Sequence, residues 1–250
     1  MMQDNPLILD LYRQHLVQRD GYNVWEQKRT ETLWQASHTA LLLCDLWDSH
    51  WCRGAVERLD AMIDRMNNVV QACREEGVLI VHAPSGTMDF YTDSPARHRA
   101  SSPPAFDIPD DLEHVDPPLP VDSSDQGSDT GETQPHGVWR RQHQGLDIDE
   151  EKDIISDDGK EIYSYLKHHD IDHLLIMGVH TNMCVLHRSF GIKQMIRWGV
   201  DVALIRDLTD TMYNPAMPPY VSHEEGTGLV IEFIEKFWCP TVGSSDLIYV

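Results

Sequence analysis

Three stretches of the chain are apolar without a break and of strand length: Thr39-Ala-Leu-Leu-Leu-Cys-Asp-Leu46, Val78-Leu-Ile-Val-His-Ala83 and Leu174-Leu-Ile-Met-Gly-Val179. A fourth, Val200-Asp-Val-Ala-Leu-Ile205, is nearly so. Continuous runs, as opposed to alternation, belong to strands covered on both faces. After the first run, apolar residues recur at Val56, Leu59, Ile63, Met66, Val70 and Cys73, which is helical spacing, and Gly77 closes the segment. Further helices are predicted near Gly159–His168, Val185–Trp198 and Glu224–Phe237, and a further strand near Val138–Ile148. Strands alternating with helices imply an α/β fold with a mainly parallel sheet covered on both sides.

Residues 1–38 break this rhythm: they are mixed and aromatic, with Tyr12, Tyr22, Trp25 and Trp34, and read as an N-terminal arm packed on a domain of residues 39–250. Residues 100–137 are rich in Pro, Asp, Ser and Gly and lack aliphatic periodicity, so they read as a long acidic insertion outside the core. The tail to Val250 is a candidate edge segment.

Composition narrows the function classes. A formal charge of −21 argues against nucleic acid or an anionic membrane as partner, because both need basic patches. No segment has the apolar length of a membrane span, and Met-Met-Gln-Asp-Asn-Pro carries no signal-peptide pattern. The 5 cysteines are dispersed, without CxxC pairs, which suits reduced thiols in a cytoplasm. Cys44, Cys73 and Cys239 lie in apolar runs and read as core.

Cys184 differs. It follows the strand Leu174–Val179 through Gly-Val-His-Thr-Asn-Met and falls in what reads as the first turn of a helix, with Thr181 or Asn182 as N-cap. Unpaired backbone N–H groups there favour a thiolate and can receive an oxyanion. Buried packing is the other reading of such a cysteine.

An apolar strand ending in Asp45, paired with a strand ending in Gly-Val-His-Thr-Asn-Met-Cys184, resembles the isochorismatase-like cysteine hydrolases, the superfamily that includes nicotinamidases and N-carbamoylsarcosine amidohydrolases. The resemblance covers roughly residues 38 to 212, including the later strand with Arg206-Asp207. It implies a three-layer α/β/α sandwich, a homo-oligomer and an Asp–Lys–Cys triad, with Asp45 as general base and Cys184 as nucleophile toward a small-molecule amide. It also implies an oxyanion hole from the N–H groups of His180 and Cys184, with a cis peptide at Val179–His180.

The chain departs from that pattern in three places. The region that should bear the lysine is Asp149-Glu-Glu-Lys-Asp-Ile-Ile-Ser156, in which Lys152 is the nearest candidate and Ser156 follows the apolar pair; Arg140, Arg141 and His143 are substitutes to consider. After the base comes Leu46-Trp-Asp-Ser-His-Trp-Cys52. Asp48 and His50, with His82 after the next strand, have the residue types of an open zinc site, which Cys52 might join; the competing reading is an aromatic pocket wall. Asp122-Ser-Ser-Asp-Gln-Gly-Ser-Asp129 offers carboxylates to a hard cation but lacks an EF-hand register, so a solvated acidic loop is the simpler reading.

The function that follows is cysteine-dependent hydrolysis of a small amide or ureido compound, with no cofactor required. Trp47, Trp51, Tyr91, Tyr213 and His223 are the expected pocket residues. Two alternatives stay open: a non-catalytic member of the fold, motivated by the missing lysine, and a vinyl-ether hydrolase of the isochorismatase kind, which needs a carboxylate but no thiol.

Overall fold

Alternate residues of each apolar run face opposite layers. Ala40, Leu42 and Cys44 join one buried cluster with Leu174 and Ile176, while Leu41 and Leu43 join another with Leu175 and Met177. The computed structural model describes residues 6–133 and 136–248. Its strands are β1 (Pro6–Arg19), β2 (Tyr22–Gln35), β3 (Thr39–Cys44), β4 (Leu79–Ala83), β5 (Ile154–Ile155), β6 (His173–Val179), β7 (Asp201–Asp210) and β8 (Thr241–Val242). They form a sheet in the order β2-β1-β8-β7-β6-β3-β4-β5, parallel from β8 to β5.

The helices are α1 (Arg53–Glu76), α2 (Pro95–Ala100), α3 (Gly159–His168), α4 (Ile192–Arg197) and α5 (His223–Phe237). Leu59, Ile63, Met66, Val70 and Cys73 of α1 cover one face of the sheet; Ile162 and Leu166 of α3, Met195 of α4 and Val230 and Ile234 of α5 cover the other. The chain is a three-layer α/β/α sandwich. Among the described residues, no helix is long and apolar enough to cross a membrane.

Two expectations from the sequence need correction, and the N-terminal arm takes a definite form. Over residues 6–35 β1 and β2 make a hairpin paired without interruption from Pro6↔Gln35 to Arg19↔Tyr22, joined to the sheet where Tyr12 meets Thr241. The polar outer strand hid this, since only its partner carries the buried Leu7 and Leu9. Near Val138–Ile148 there is no strand, only a bridge between Trp47 and Gln142; the sheet is finished by Ile154 and Ile155 against Val81 and His82. The helix expected from Val185 breaks at Ser189–Gly191 before α4 resumes. There, a Cβ at Gly191 would lie 2.7 Å from the Val185 carbonyl oxygen.

The insertion runs as an extended strap over α3, α4 and α5. Phe106 N–H donates to Ser164 Oγ, Leu112 N–H donates to the Arg197 carbonyl, and Lys193 pairs with Asp116 at 2.6 Å. Its far end, Ser128–Glu132, is stitched to the start of α1: Thr130 Oγ1 accepts the Gly54 N–H and Glu132 accepts the Arg53 N–H.

Candidate active site

Strands β3 and β6 run in register, with Cys44 opposite Gly178. A Cβ at Gly178 would stand 2.1 Å from the Cys44 carbonyl oxygen, and the φ of 137° suits only glycine. The two strand tips therefore touch backbone to backbone. The residues that follow them, Asp45 and the Val179–Cys184 turn, meet at the carboxyl edge of the sheet, where α/β folds place their ligands.

Asp45 leaves its strand with a left-handed φ of 52°, a conformation that costs a non-glycine residue about 1 kcal/mol. Three bonds offset it. The Asp45 N–H donates to the Ala83 carbonyl at 3.1 Å, Oδ1 accepts the Ser85 N–H at 2.8 Å, and Oδ2 accepts Arg188 Nε at 2.8 Å. The fully buried carboxyl and the Cys184 thiol are close enough to shift each other electrostatically. Two residues 139 positions apart in the chain thus act on each other's titration (184 − 45 = 139).

The Val179–His180 peptide is cis, and a π-type turn follows over Thr181–Val185. Neither Thr181 nor Asn182 caps it; the capping position is His180, without a side-chain bond. Instead Thr181 Oγ1 meets Thr209 Oγ1 at 2.7 Å, and the Asn182 amide bonds the Met212 backbone at 2.9 and 3.0 Å, tying the turn to the end of β7. The strand runs on past Arg206-Asp207 and ends at Asp210. The His180 backbone lowers the Cys184 thiol slightly, and Cys184 is half-buried rather than sealed.

Burial first, then the Asp45 carboxylate, push the Cys184 thiol up to about 12, with Arg188 pulling down. Burial also raises Asp45, against the pull of Arg188 and the bonds from Cys184 and Ser85. The sulfur therefore rests as a thiol. The thiolate that a helix N-terminus would favour is opposed first by burial and then by the Asp45 charge.

One wall beside the pair is aromatic. Trp47 stacks on Trp139 at 4.2 Å between centroids, His50 stacks on Trp139 at 5.8 Å, and His50 lies 5.2 Å from Trp51 and 4.9 Å from His180. Burial holds His50 near 4 and His180 near 3, so both rings are neutral. Trp139 has no signal in sequence, because it comes from the insertion's far side, 92 residues after Trp47 (139 − 47 = 92).

No family model and no curated protein matches the sequence. Among solved structures, the chain is similar to a cysteine hydrolase from Pseudomonas syringae pv. phaseolicola 1448A, at 14% identity and a TM-score of 0.55, over 86% of this chain and 92% of that one. It is also similar to an isochorismatase from Pseudomonas putida KT2440, at 13% identity and a TM-score of 0.52, over 85% and 91% of the two chains. The chain has the isochorismatase-like fold.

Within that fold the cation beside the carboxylate is Arg188. It stands four residues after Cys184, so one helical turn brings it back over the sulfur, and its N–H donates to the Cys184 carbonyl at 3.0 Å. That i,i+4 relation was the available signal in Cys-Val-Leu-His-Arg188. Lys152 is not at the site: its side chain is 68% exposed, pairs with Asp149, and lies by the opposite end of β4 beside Gly77 and Val78. Ser156, after β5, is buried and donates its N–H to the His82 carbonyl. Arg140 and Arg141 place their backbone N–H groups on Asp48, and His143 contacts Asp60.

The isochorismatase-like frame scatters the rest of the expected set. Trp47 is buried, its Nε1 donating to the Ser85 carbonyl, and Trp51 packs beside Met183. Tyr91 is a strut whose hydroxyl accepts the Gln142 N–H. Tyr213 is fully buried, its hydroxyl donating to the Met217 carbonyl. His223 is buried in a charge network, with Nε2 on Asp210 at 2.9 Å and Nδ1 on the Tyr213 carbonyl; Arg58 closes the network onto Asp210 and Asp129. None of these last three lines the aromatic wall.

The zinc reading does not fit. His82 has both ring nitrogens engaged, by Gln142 at 2.9 Å and Asp153 at 3.0 Å; Asp48 is held by backbone N–H groups; and His50 Nδ1 accepts the Cys52 N–H. Among the described residues no three His, Cys, Asp or Glu side chains converge as a metal set. Cys52 is buried against Ser128, Asp129 and Thr130. The acidic loop spends its carboxylates within the protein: Asp125 on Gly127 and Asn214, and Asp129 on Arg58.

Proposed function

We propose that the chain is a cysteine-dependent hydrolase of a small amide or ureido compound, with Asp45, Arg188 and Cys184 as its triad. The observation that carries this is the meeting of two strand tips, Cys44 against Gly178, which sets the buried Asp45, held by Arg188 at 2.8 Å, beside the Cys184 turn. As the sulfur attacks the substrate carbonyl, the S–C bond forms and the thiol proton passes to Asp45. The oxyanion is received by the backbone N–H groups of His180 and Cys184 in the turn that carries the sulfur. Collapse breaks the C–N bond, Asp45 returns the proton to the leaving nitrogen, and a thioester remains. Water then attacks the thioester with Asp45 as base, and the thiol is released.

Arg188, bonded to Asp45 through Nε, opposes the rise that burial imposes on the carboxyl, but a guanidinium does not exchange protons. Asp45 therefore carries every proton transfer. The Trp47–Trp139–His50 stack favours a flat, compact substrate.

A panel of small primary amides and ureido acids, followed by ammonia release, tests this. Cys184→Ser is expected to lose on the order of 10³-fold or more in turnover of any substrate found, because the members of a triad act as a unit. A Cys184→Ser enzyme as fast as the parent would end the proposal.

A further inference from the structure

The outer edge of β2 is exposed along nearly its whole length. Of its 14 residues, Trp34 alone is buried, and the strand carries no proline, glycine or bulge in its described pairing with β1. Natural sheets blunt such edges, because a long, regular row of free N–H and C=O groups invites another strand. The sequence of β2 fits one such strand closely, namely itself.

We propose that two copies of the chain pair antiparallel through β2, about a two-fold axis normal to the sheet at Gln27. Such an axis keeps like faces on one side, so residues directly opposite have the same parity and one residue sits on the axis. Glu26, Lys28, Arg29 and Glu31 are excluded from that position, since each would meet its own charge. With Gln27 on the axis, Glu26 faces Lys28 twice and Trp25 faces Arg29 twice, the latter a cation over an aromatic ring. Val24 then meets Thr30, and Tyr22 meets Thr32. With Thr30 on the axis, Arg29 meets Glu31, but Lys28 is left against Thr32 and Glu26 against Trp34.

The hairpin is braced for this. Gln14 and Gln27 both donate to the buried Glu235 of α5, at 3.0 and 3.1 Å, and Trp25 packs edge-on against Phe237. These contacts hold the middle of β2 in place at the position the axis requires. The dimer joins the two sheets into one and leaves the carboxyl-edge sites, five strands away at β3, untouched.

Sedimentation or light scattering of the whole chain reads the outcome. The parent is expected at twice the mass of Glu26→Lys or of Lys28→Glu, each of which sets like charges opposite one another. The double exchange, Glu26→Lys with Lys28→Glu, restores the pairs and is expected to restore the mass, with circular dichroism unchanged throughout. A monomeric parent, or single variants with the parent's mass, overturns the proposal, and failure of the double exchange to rescue overturns the Gln27 register. None of these depends on Cys184 chemistry.

Discussion

At the scale of the residue, Asp45 and Cys184 are one titrating unit. The carboxylate raises the thiol and Arg188 lowers it, so each sets the other's chemistry. Replacing Asp45 with Asn removes the charge that opposes ionisation and leaves Arg188 beside the sulfur. The Cys184 pKa is then expected to fall from about 12, and alkylation by iodoacetamide at neutral pH to speed up. The same variant loses its proton carrier, and hydrolysis is expected to drop by about 10²- to 10⁴-fold. Reactivity toward alkylation and catalysis thus move in opposite directions. Mass-spectrometric labelling rates in which Asp45→Asn slows alkylation would show that the carboxylate does not govern this sulfur.

At the scale of the element, the site depends on how closely β3 and β6 approach. Gly178 allows it, lying against the Cys44 carbonyl where any side chain would collide with the rigid Cys44 backbone. Gly178→Ala combines that overlap with a φ open only to glycine, and the expected loss is about 3–5 kcal/mol, at the severe end for single substitutions. Chemical denaturation reads it directly; a loss below about 1 kcal/mol would mean the strand tips have slack to separate. Gly159, against the Ser189 carbonyl, plays the same part between α3 and the break before α4.

At the scale of the whole molecule, 41 acidic residues face 20 basic ones, and self-repulsion outweighs the attraction of surface pairs such as Arg53–Glu57. Salt is therefore expected to raise the melting temperature at pH 7 as ionic strength goes from about 0.01 to 1 M, where the screening length falls from about 30 to 3 Å. A fall in Tm on that path would mean that the strap's ion pairs, Arg58–Asp129 and Lys193–Asp116, dominate the electrostatics instead.

The layered α/β fold was legible because burial on both faces leaves unbroken apolar runs, and the same runs mark where β3, β4 and β6 stop. Asp45 and Cys184 stood out for the same reason: each follows a strand end in the sequence. What the chain order did not reveal is whatever depends on reach from a distant segment. Arg188 beside Asp45, Trp139 closing the aromatic stack, the engagement of His82 by Asp153 and Gln142, and the hairpin completing the sheet all come from partners many residues away. Periodicity is local, set by backbone geometry within a few residues. Charge pairing and stacking act through space, and only the packed chain settles which groups come within about 4 Å of each other.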